Sequence, residues 1–141
     1  MVTNYSRILV CYDGSKYSDG ALRQACDLAK RYDSALTLIH VIQKTKKSDL
    51  LAGNEYTQIL RKYAKSALVK AQKIAKEQGF EPKIVTKEGN AANEIVKYSK
   101  TDKTDLIVVG SKGLGAVLQI FLGSVSSKIA DRSLCSVLIV K

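Results

Sequence analysis

The chain has 141 residues, 45% of them hydrophobic, a formal net charge of +10 and three cysteines. That suits one domain, residues 1–141, with a buried core, and it excludes a disordered or low-complexity chain. No uncharged apolar run approaches the roughly 20 residues that cross a bilayer, and the start, MVTNYSRILVCYDG, has no long apolar segment of secretory type. Cys11, Cys26 and Cys135 are widely spaced and His40 is the single histidine, so no zinc-ligand cluster is apparent. These cysteines are expected to be packed thiols in a reducing cytoplasm. The charge is concentrated: residues 44 to 87 hold eleven basic side chains against four acidic ones. A positive surface favours anionic partners, but a lysine-rich helix face also serves solubility alone.

In chain order, RILVCYD (7–13) is a short apolar run closed by Asp-Gly, and it predicts a buried strand. Ala21, Leu22, Ala25, Leu28, Ala29 and Tyr32 recur at three-and-four spacing, which predicts a helix capped by Ser15 or Ser18. ALTLIHVI (35–42) predicts a second strand. Tyr56, Ile59, Leu60, Tyr63, Ala67, Leu68, Ala71, Ile74 and Ala75 mark one apolar face of a long helix ending at Gly79. On that face Tyr56 and Tyr63 are expected to be buried. PKIVTKEG (82–89) predicts a third strand, and NAANEIVKYSK a helix capped by Asn90. TDLIVVG (104–110) is a fourth strand, SVSSKIADRS a short helix, and CSVLIVK a fifth strand. Apolar strands alternating with helices imply an α/β fold with an open, parallel, five-stranded sheet covered on both faces.

In such a sheet ligands bind beyond the carboxyl ends of the strands, where strand order reverses. The unusual residues fall there: Asp13-Gly14-Ser15 after the first strand, His40-Val41-Ile42 at the second, Gly110-Ser111-Lys112-Gly113 after the fourth. Four of the nine glycines lie between residues 110 and 123. Glycines let a backbone approach phosphate closely, and a helix N-terminus adds unpaired N–H donors. Gly123-Ser124 before VSSKIA fits that arrangement. No window matches GxxxxGK[ST], and Gly113-Leu114-Gly115 fails GxGxxG because Leu118 stands at its third glycine. His40 is expected to be a packed strand-end residue, since no partner for base catalysis is apparent.

Gly110, Gly113 and Gly123-Ser124 form instead G-x2-G-x9-G-[S/T]. With ILVCYDGSKYS, LIHVI, GNAANEIV and CSVLIV in order, the chain resembles the universal stress protein family, in its ATP-binding branch. The resemblance implies a Rossmann-like sheet of order 3-2-1-4-5, related to the adenine nucleotide alpha hydrolases. It implies that Asp13 accepts hydrogen bonds from ribose hydroxyls and that the backbone at Cys11 and Val41 borders adenine. Gly110, Lys112, Gly113, Gly123, Ser124 and Ser126 would surround the phosphates, with Ser15, Val109 and Val125 completing the nucleotide site. The implied ligand is ATP, or ADP or AMP, with Mg2+ or Mn2+ held through the phosphates and no protein metal ligand. The implied role is a nucleotide-dependent regulatory protein acting through a partner, commonly a homodimer paired through the last strand. Two positions depart from the family: Cys11 stands where proline is frequent, and RSLCSVLIV has Leu134 and Ser136 where prolines are common. A slow ATPase or adenylating enzyme of the same fold is an alternative, although DGSKYS lacks the paired glycines of SGGxDS. A nucleic-acid-binding module using the basic 44–87 face, with Tyr56 and Tyr63 as stacking groups, is another. Residues 116–122 are expected to anchor the loop and hold the two glycine pairs apart, and Gly115 lies outside the pattern.

Overall fold

The computed structural model describes residues 4–43, 53–114 and 122–141. Strands and helices alternate: β1 (Arg7–Cys11), α1 (Lys16–Tyr32), β2 (Ala35–Gln43), α2 (Gly53–Glu77), β3 (Lys83–Gly89), α3 (Ala91–Thr101), β4 (Leu106–Gly110), α4 (Ser124–Arg132) and β5 (Ser136–Val140). All pairings are parallel and the order is β3-β2-β1-β4-β5. The central strand β1 pairs Ile8 with Leu36 on one side and with Leu106 on the other. Connections from β1 to β2 and from β1's neighbour β4 to β5 therefore run in opposite directions across the sheet, and the switch point lies between β1 and β4.

Strand alternation divides the core into two layers. Ile8, Val10, Tyr12, Leu36, Leu38 and Val108 face α1 and α2, against Leu22, Ala25, Ala71 and Ala75. Leu9, Cys11, Ile39, Ile107 and Val109 face α3 and α4, against Ala92, Ile95 and Ile129. The alanine-rich inner faces of α1 and α2 let both helices lie close to the sheet. Cys11 and Cys26 are buried and Cys135 is half-buried, all as free thiols.

The caps follow the sequence closely. Ser15 is the cap of α1, its Oγ accepting the Ser18 N–H at 3.2 Å. Asn90 caps α3 in the same way, accepting the Asn93 N–H at 3.0 Å. At the end of α2, Gly79 has φ +85 and the Phe80 N–H reaches back to the Ala75 carbonyl at 2.9 Å. A residue with positive φ closing the helix favours glycine there.

One expectation is corrected. Tyr56 and Tyr63 are not buried; they are 41% and 39% exposed. The reason is length. The 25 residues of α2 extend about 37 Å at the usual rise, while the five-residue β1 covers about 17 Å. From Ala64 onward the apolar stripe rests on the sheet, with Ala64, Ala67, Ala71, Ile74 and Ala75 buried. The preceding turns overhang the carboxyl ends of the strands, and Ile59 there is 63% exposed. Periodicity identifies the face that points inward but not where the helix leaves the layer beneath it.

Candidate functional site

β1 stops at Cys11, two residues before the expected end, and Tyr12 and Asp13 leave the strand at the switch point. The Asp13 carboxylate binds in two directions. Oδ1 accepts the Ser15 N–H at 2.9 Å, and Oδ2 accepts the Leu114 N–H at 3.1 Å across the gap from β4. Its backbone carbonyl accepts the Tyr63 hydroxyl at 2.7 Å. Asp13 thus joins the loop after β1, the loop after β4 and the overhanging part of α2.

The glycines have different local reasons. Gly14 has φ +88, and a Cβ there would lie 2.3 Å from the Tyr63 hydroxyl oxygen. A Cβ on Gly113 would stand 2.8 Å from Asp13 Oδ2. Gly110 makes room for α1: a Cβ would be 2.8 Å from Tyr17 Cβ and 2.9 Å from its backbone carbon. Helix–strand packing therefore accounts for Gly110. Around Gly123 the crowding is milder, with Ser111 O at 3.2 Å from an added Cβ.

The two glycine pairs are fastened to each other directly. Ser111 O accepts the Gly123 N–H at 2.7 Å and lies 3.1 Å from Ser126 Oγ. Ser111 N–H in turn bonds the Val140 carbonyl of β5 at 2.8 Å. The expected spacer, residues 116–122, and Gly115 fall outside the described residues except for Leu122, which is 42% exposed. Gly123 caps α4 without a side-chain bond. The first-turn N–H groups of Ser124, Val125 and Ser126 precede the first intrahelical bond, Ser127 N–H to Gly123 O, and so have no acceptor within the helix. They sit at the positive end of the helix dipole.

These elements enclose a cavity of about 460 Å³. Eleven of the twelve expected site residues line it: Cys11, Asp13, Val41, Val109, Gly110, Lys112, Gly113, Gly123, Ser124, Val125 and Ser126. Ser15 does not; buried, it is spent on capping α1. Ser126 lines the wall, but its hydroxyl is turned toward Ser111 O and Gly123 O, so its backbone N–H is the group left for a ligand. Lys112 Nζ lies 5.8 Å from the centre of the Tyr17 ring. The wall also contains residues that motif reasoning did not place there, notably Tyr12, His40, Gln43, Leu60, Tyr63 and Ile95. Strand alternation carries the signal for Tyr12 and His40, and the helical stripe carries it for Leu60 and Tyr63.

Burial and charge hold the surrounding groups in fixed protonation states. Burial, with Asp13 beside it, pushes the Cys11 thiol far above the ordinary range, so it is not a thiolate nucleophile. Burial and a hydrogen bond to Asp19 raise Tyr12 likewise; its hydroxyl donates to Asp19 Oδ1 at 2.6 Å. Tyr63 is shifted upward by burial and by the charges of Asp13 and Asp19. Lys70 makes a 2.8 Å ion pair to Asp19, behind Tyr12. Part of the basic run is therefore engaged within the fold: Lys70 here, and Arg61 with Glu88 at 3.1 Å. Lys44, Lys46 and Lys47 lie outside the described residues.

No helix among the described residues is long and apolar enough to cross a membrane. Known proteins match over the whole length of this architecture. The sequence profile of the universal stress protein family covers residues 4–141. Universal stress protein MJ0531 of Methanocaldococcus jannaschii is 34% identical over 140 residues, spanning 97% of this chain and 82% of that one. The universal stress protein UspA from Lactobacillus plantarum superposes with a TM-score of 0.84 at 26% identity, over 98% of this chain and 99% of that one. A universal stress protein solved in complex with cAMP gives 0.72 at 27% identity, over 98% of each chain.

Proposed function

The chain belongs to the universal stress protein family, and we propose that residues 1–141 act as one ATP-binding unit whose occupancy regulates a protein partner. The observation that carries this reading is the convergence on one cavity of Asp13, Lys112 and the open N-terminus of α4. A carboxylate is a hydrogen-bond acceptor suited to ribose hydroxyls. A lysine and a run of unpaired N–H groups suit a polyphosphate. The related protein that holds cAMP supports an adenine nucleotide as the ligand class.

In this reading the base lies toward Cys11 and Val41, the ribose at Asp13, and the phosphates between Lys112, Gly113 and the first turn of α4. Val109, Gly110 and Val125 form the floor. Among the described residues no three His, Cys, Asp or Glu side chains cluster as a metal site. Mg2+ or Mn2+ would enter with the phosphates, the usual mode for Mg2+ beside a nucleotide.

A second copy of the chain is the partner assigned to β5. That strand ends the sheet, its apolar side chains are half-buried, and the adjacent Leu134 is 83% exposed. An apolar edge strand is a surface for strand pairing. Light scattering after size exclusion should give a dimer mass, and Leu134→Lys should shift it toward the monomer.

The nucleotide assignment is tested by thermal denaturation with ATP and Mg2+. Wild-type protein should melt higher with ligand. Gly113→Val, which places carbon against Asp13 Oδ2, should melt normally without ligand and gain no shift with it. Equal shifts in both proteins would refute the site.

A further inference from the structure

The two helical layers that cover the sheet differ in charge. α1 and α2 together carry ten basic and four acidic side chains, whereas α3 and α4 carry four and two. Part of the first layer's charge is used inside the fold: Lys70 pairs with Asp19, Arg61 with Glu88 and Arg31 with Asp27. The rest falls into two rows. Lys16, Arg23 and Lys30 recur at seven-residue spacing on α1, and none of them has an ion pair among the described residues. Seven residues are close to two helical turns, so the three project from one stripe. On α2 the corresponding stripe holds Lys62, Lys65, Lys73 and Lys76, equally without ion pairs among the described residues.

Both rows lie opposite the buried faces. Ala21, Leu22, Ala25 and Ala29 turn α1 toward the sheet, and Ala64, Ala67, Ala71 and Ala75 turn α2 the same way. From Lys16 to Lys30, and from Lys62 to Lys76, the distance is about 21 Å at the helical rise. The two helices pack beside each other on one face of the sheet, and packed helix axes lie about 8–10 Å apart. The outer surface of this layer therefore presents two lines of positive charge that nothing in the described fold neutralises.

The make-up of the face identifies what it fits. Apart from Arg23 the cations are lysines, compact point charges suited to phosphate contact without base readout. Val69, 66% exposed, is the large apolar side chain on the α2 stripe. Among the described residues the stripe thus offers no aromatic platform for separated bases and no apolar set to enter a lipid interior. Tyr63, a stacking group for a single strand, stands in the cavity wall instead. A duplex supplies two lines of phosphate, one charge per about 3.4 Å along each strand, flanking a major groove about 12 Å wide. Two cationic rows about 10 Å apart and 21 Å long match the two edges of that groove over about six base pairs. We propose that the outer face of α1 and α2 binds duplex nucleic acid, independently of sequence, through its phosphates. None of the residues that line the nucleotide cavity belongs to either row.

The experiment follows the fluorescence anisotropy of a labelled duplex of about 20 base pairs, titrated with the full chain at several salt concentrations. Wild-type protein should bind saturably. Its affinity should fall about a thousandfold between about 50 and 200 mM salt, as counterion release from about six phosphates requires. Lys62→Gln, Lys65→Gln, Lys73→Gln and Lys76→Gln together should reduce the slope of log affinity against log salt by about 3–4, close to 0.9 per lost contact. On the other row, Arg23→Gln with Lys30→Gln should reduce it by about 2. All six side chains are exposed, so the melting temperature should hold in both variants. A control with the same change in charge replaces Lys97, Lys100, Lys103 and Lys128 by Gln; these are exposed outside the two rows, and the control should keep most of the wild-type slope. Equal losses in the two fourfold variants would show that net charge alone matters and would overturn the proposal. So would absence of duplex binding at the lowest salt, tighter binding to a single strand of the same length, or binding to phosphatidylserine vesicles in place of the duplex.

Discussion

The two ends of the sheet are built from similar materials and used differently. At the amino end of the strands, polar groups satisfy one another. Arg7 N–H bonds Asp105 Oδ2 at 2.8 Å, Asp105 N–H returns to the Arg7 carbonyl at 2.9 Å, and the Arg7 side chain pairs with Asp102 at 3.2 Å. The Ala35 N–H closes on the Ser6 carbonyl at 2.8 Å. At the carboxyl end the first-turn N–H groups of α4 border a cavity instead of pairing within the helix. Parallel strands place all their carboxyl ends on one edge, so every loop that follows a strand contributes there. One edge closes the fold and the other surrounds a cavity. Substitutions that meet packed backbone should therefore separate from substitutions that meet only the cavity, the first read in stability and the second in ligand response.

The largest expected effect is at Gly110. A side chain there meets the backbone of Tyr17 as well as its Cβ, and backbone cannot turn aside. Gly110→Val should lower unfolding free energy by roughly 2–3 kcal/mol, as overpacking does, measurable by urea denaturation. Gly113→Val meets only a carboxylate oxygen. It should lose at least about tenfold in ATP affinity, equivalent to one hydrogen bond, with little change in the urea midpoint. At the opposite edge Asp105→Ala should cost about 1 kcal/mol in stability through the freed Arg7 N–H and leave ATP affinity within error. If Asp105→Ala weakened ATP as much as Gly113→Val, the division between the edges would be wrong.

Smaller effects sharpen the picture further. Tyr63→Phe removes the hydroxyl bonded to the Asp13 carbonyl and should reduce stability by about 0.5–1 kcal/mol, while retaining the ring that forms the wall. The smallest is a pH slope. Burial raises the thiol of Cys26 up to about 11 and raises Cys11 still further. In the unfolded chain these groups ionise in the ordinary thiol range, so above it the native state holds more protons than the unfolded state. Stability is then full below that range and declines as pH rises through it. Urea midpoints measured from about pH 8 to 10.5 should fall, and Cys26→Ala should flatten part of the decline; a flat profile in the wild type would contradict the buried thiols.

Much of this architecture is legible in the sequence because its elements are strongly patterned. Apolar runs such as LIVVG admit little but a buried strand, and Ser15 and Asn90 cap α1 and α3 through side chains suited to that position. The strand order came from the family resemblance, since alternation alone does not order strands. Boundaries slipped where pairing decides: the first and fourth strands were expected over 7–13 and 104–110, but are Arg7–Cys11 and Leu106–Gly110. The cavity lining was legible where a motif marks the residue, as at Asp13 and Gly113. It was not legible where the reason is three-dimensional. Ser15 fits both a ligand contact and a cap, and only the structure separates them. Gly110 reads as a phosphate glycine until Tyr17 is found against it. Tyr63 reads as core until the overhang of α2 is known.

The central claim is that the carboxyl edge of the sheet is the ligand-binding edge. Backbone amide chemical shifts recorded while ATP and Mg2+ are titrated into the full chain test it most directly. The account predicts saturable shifts at Asp13, Gly113, Leu114 and Ser124–Ser126, with Arg7, Asp105 and Ala35 unmoved. Shifts centred on Arg7 and Asp105, or no saturable shift at any of these amides, would contradict it.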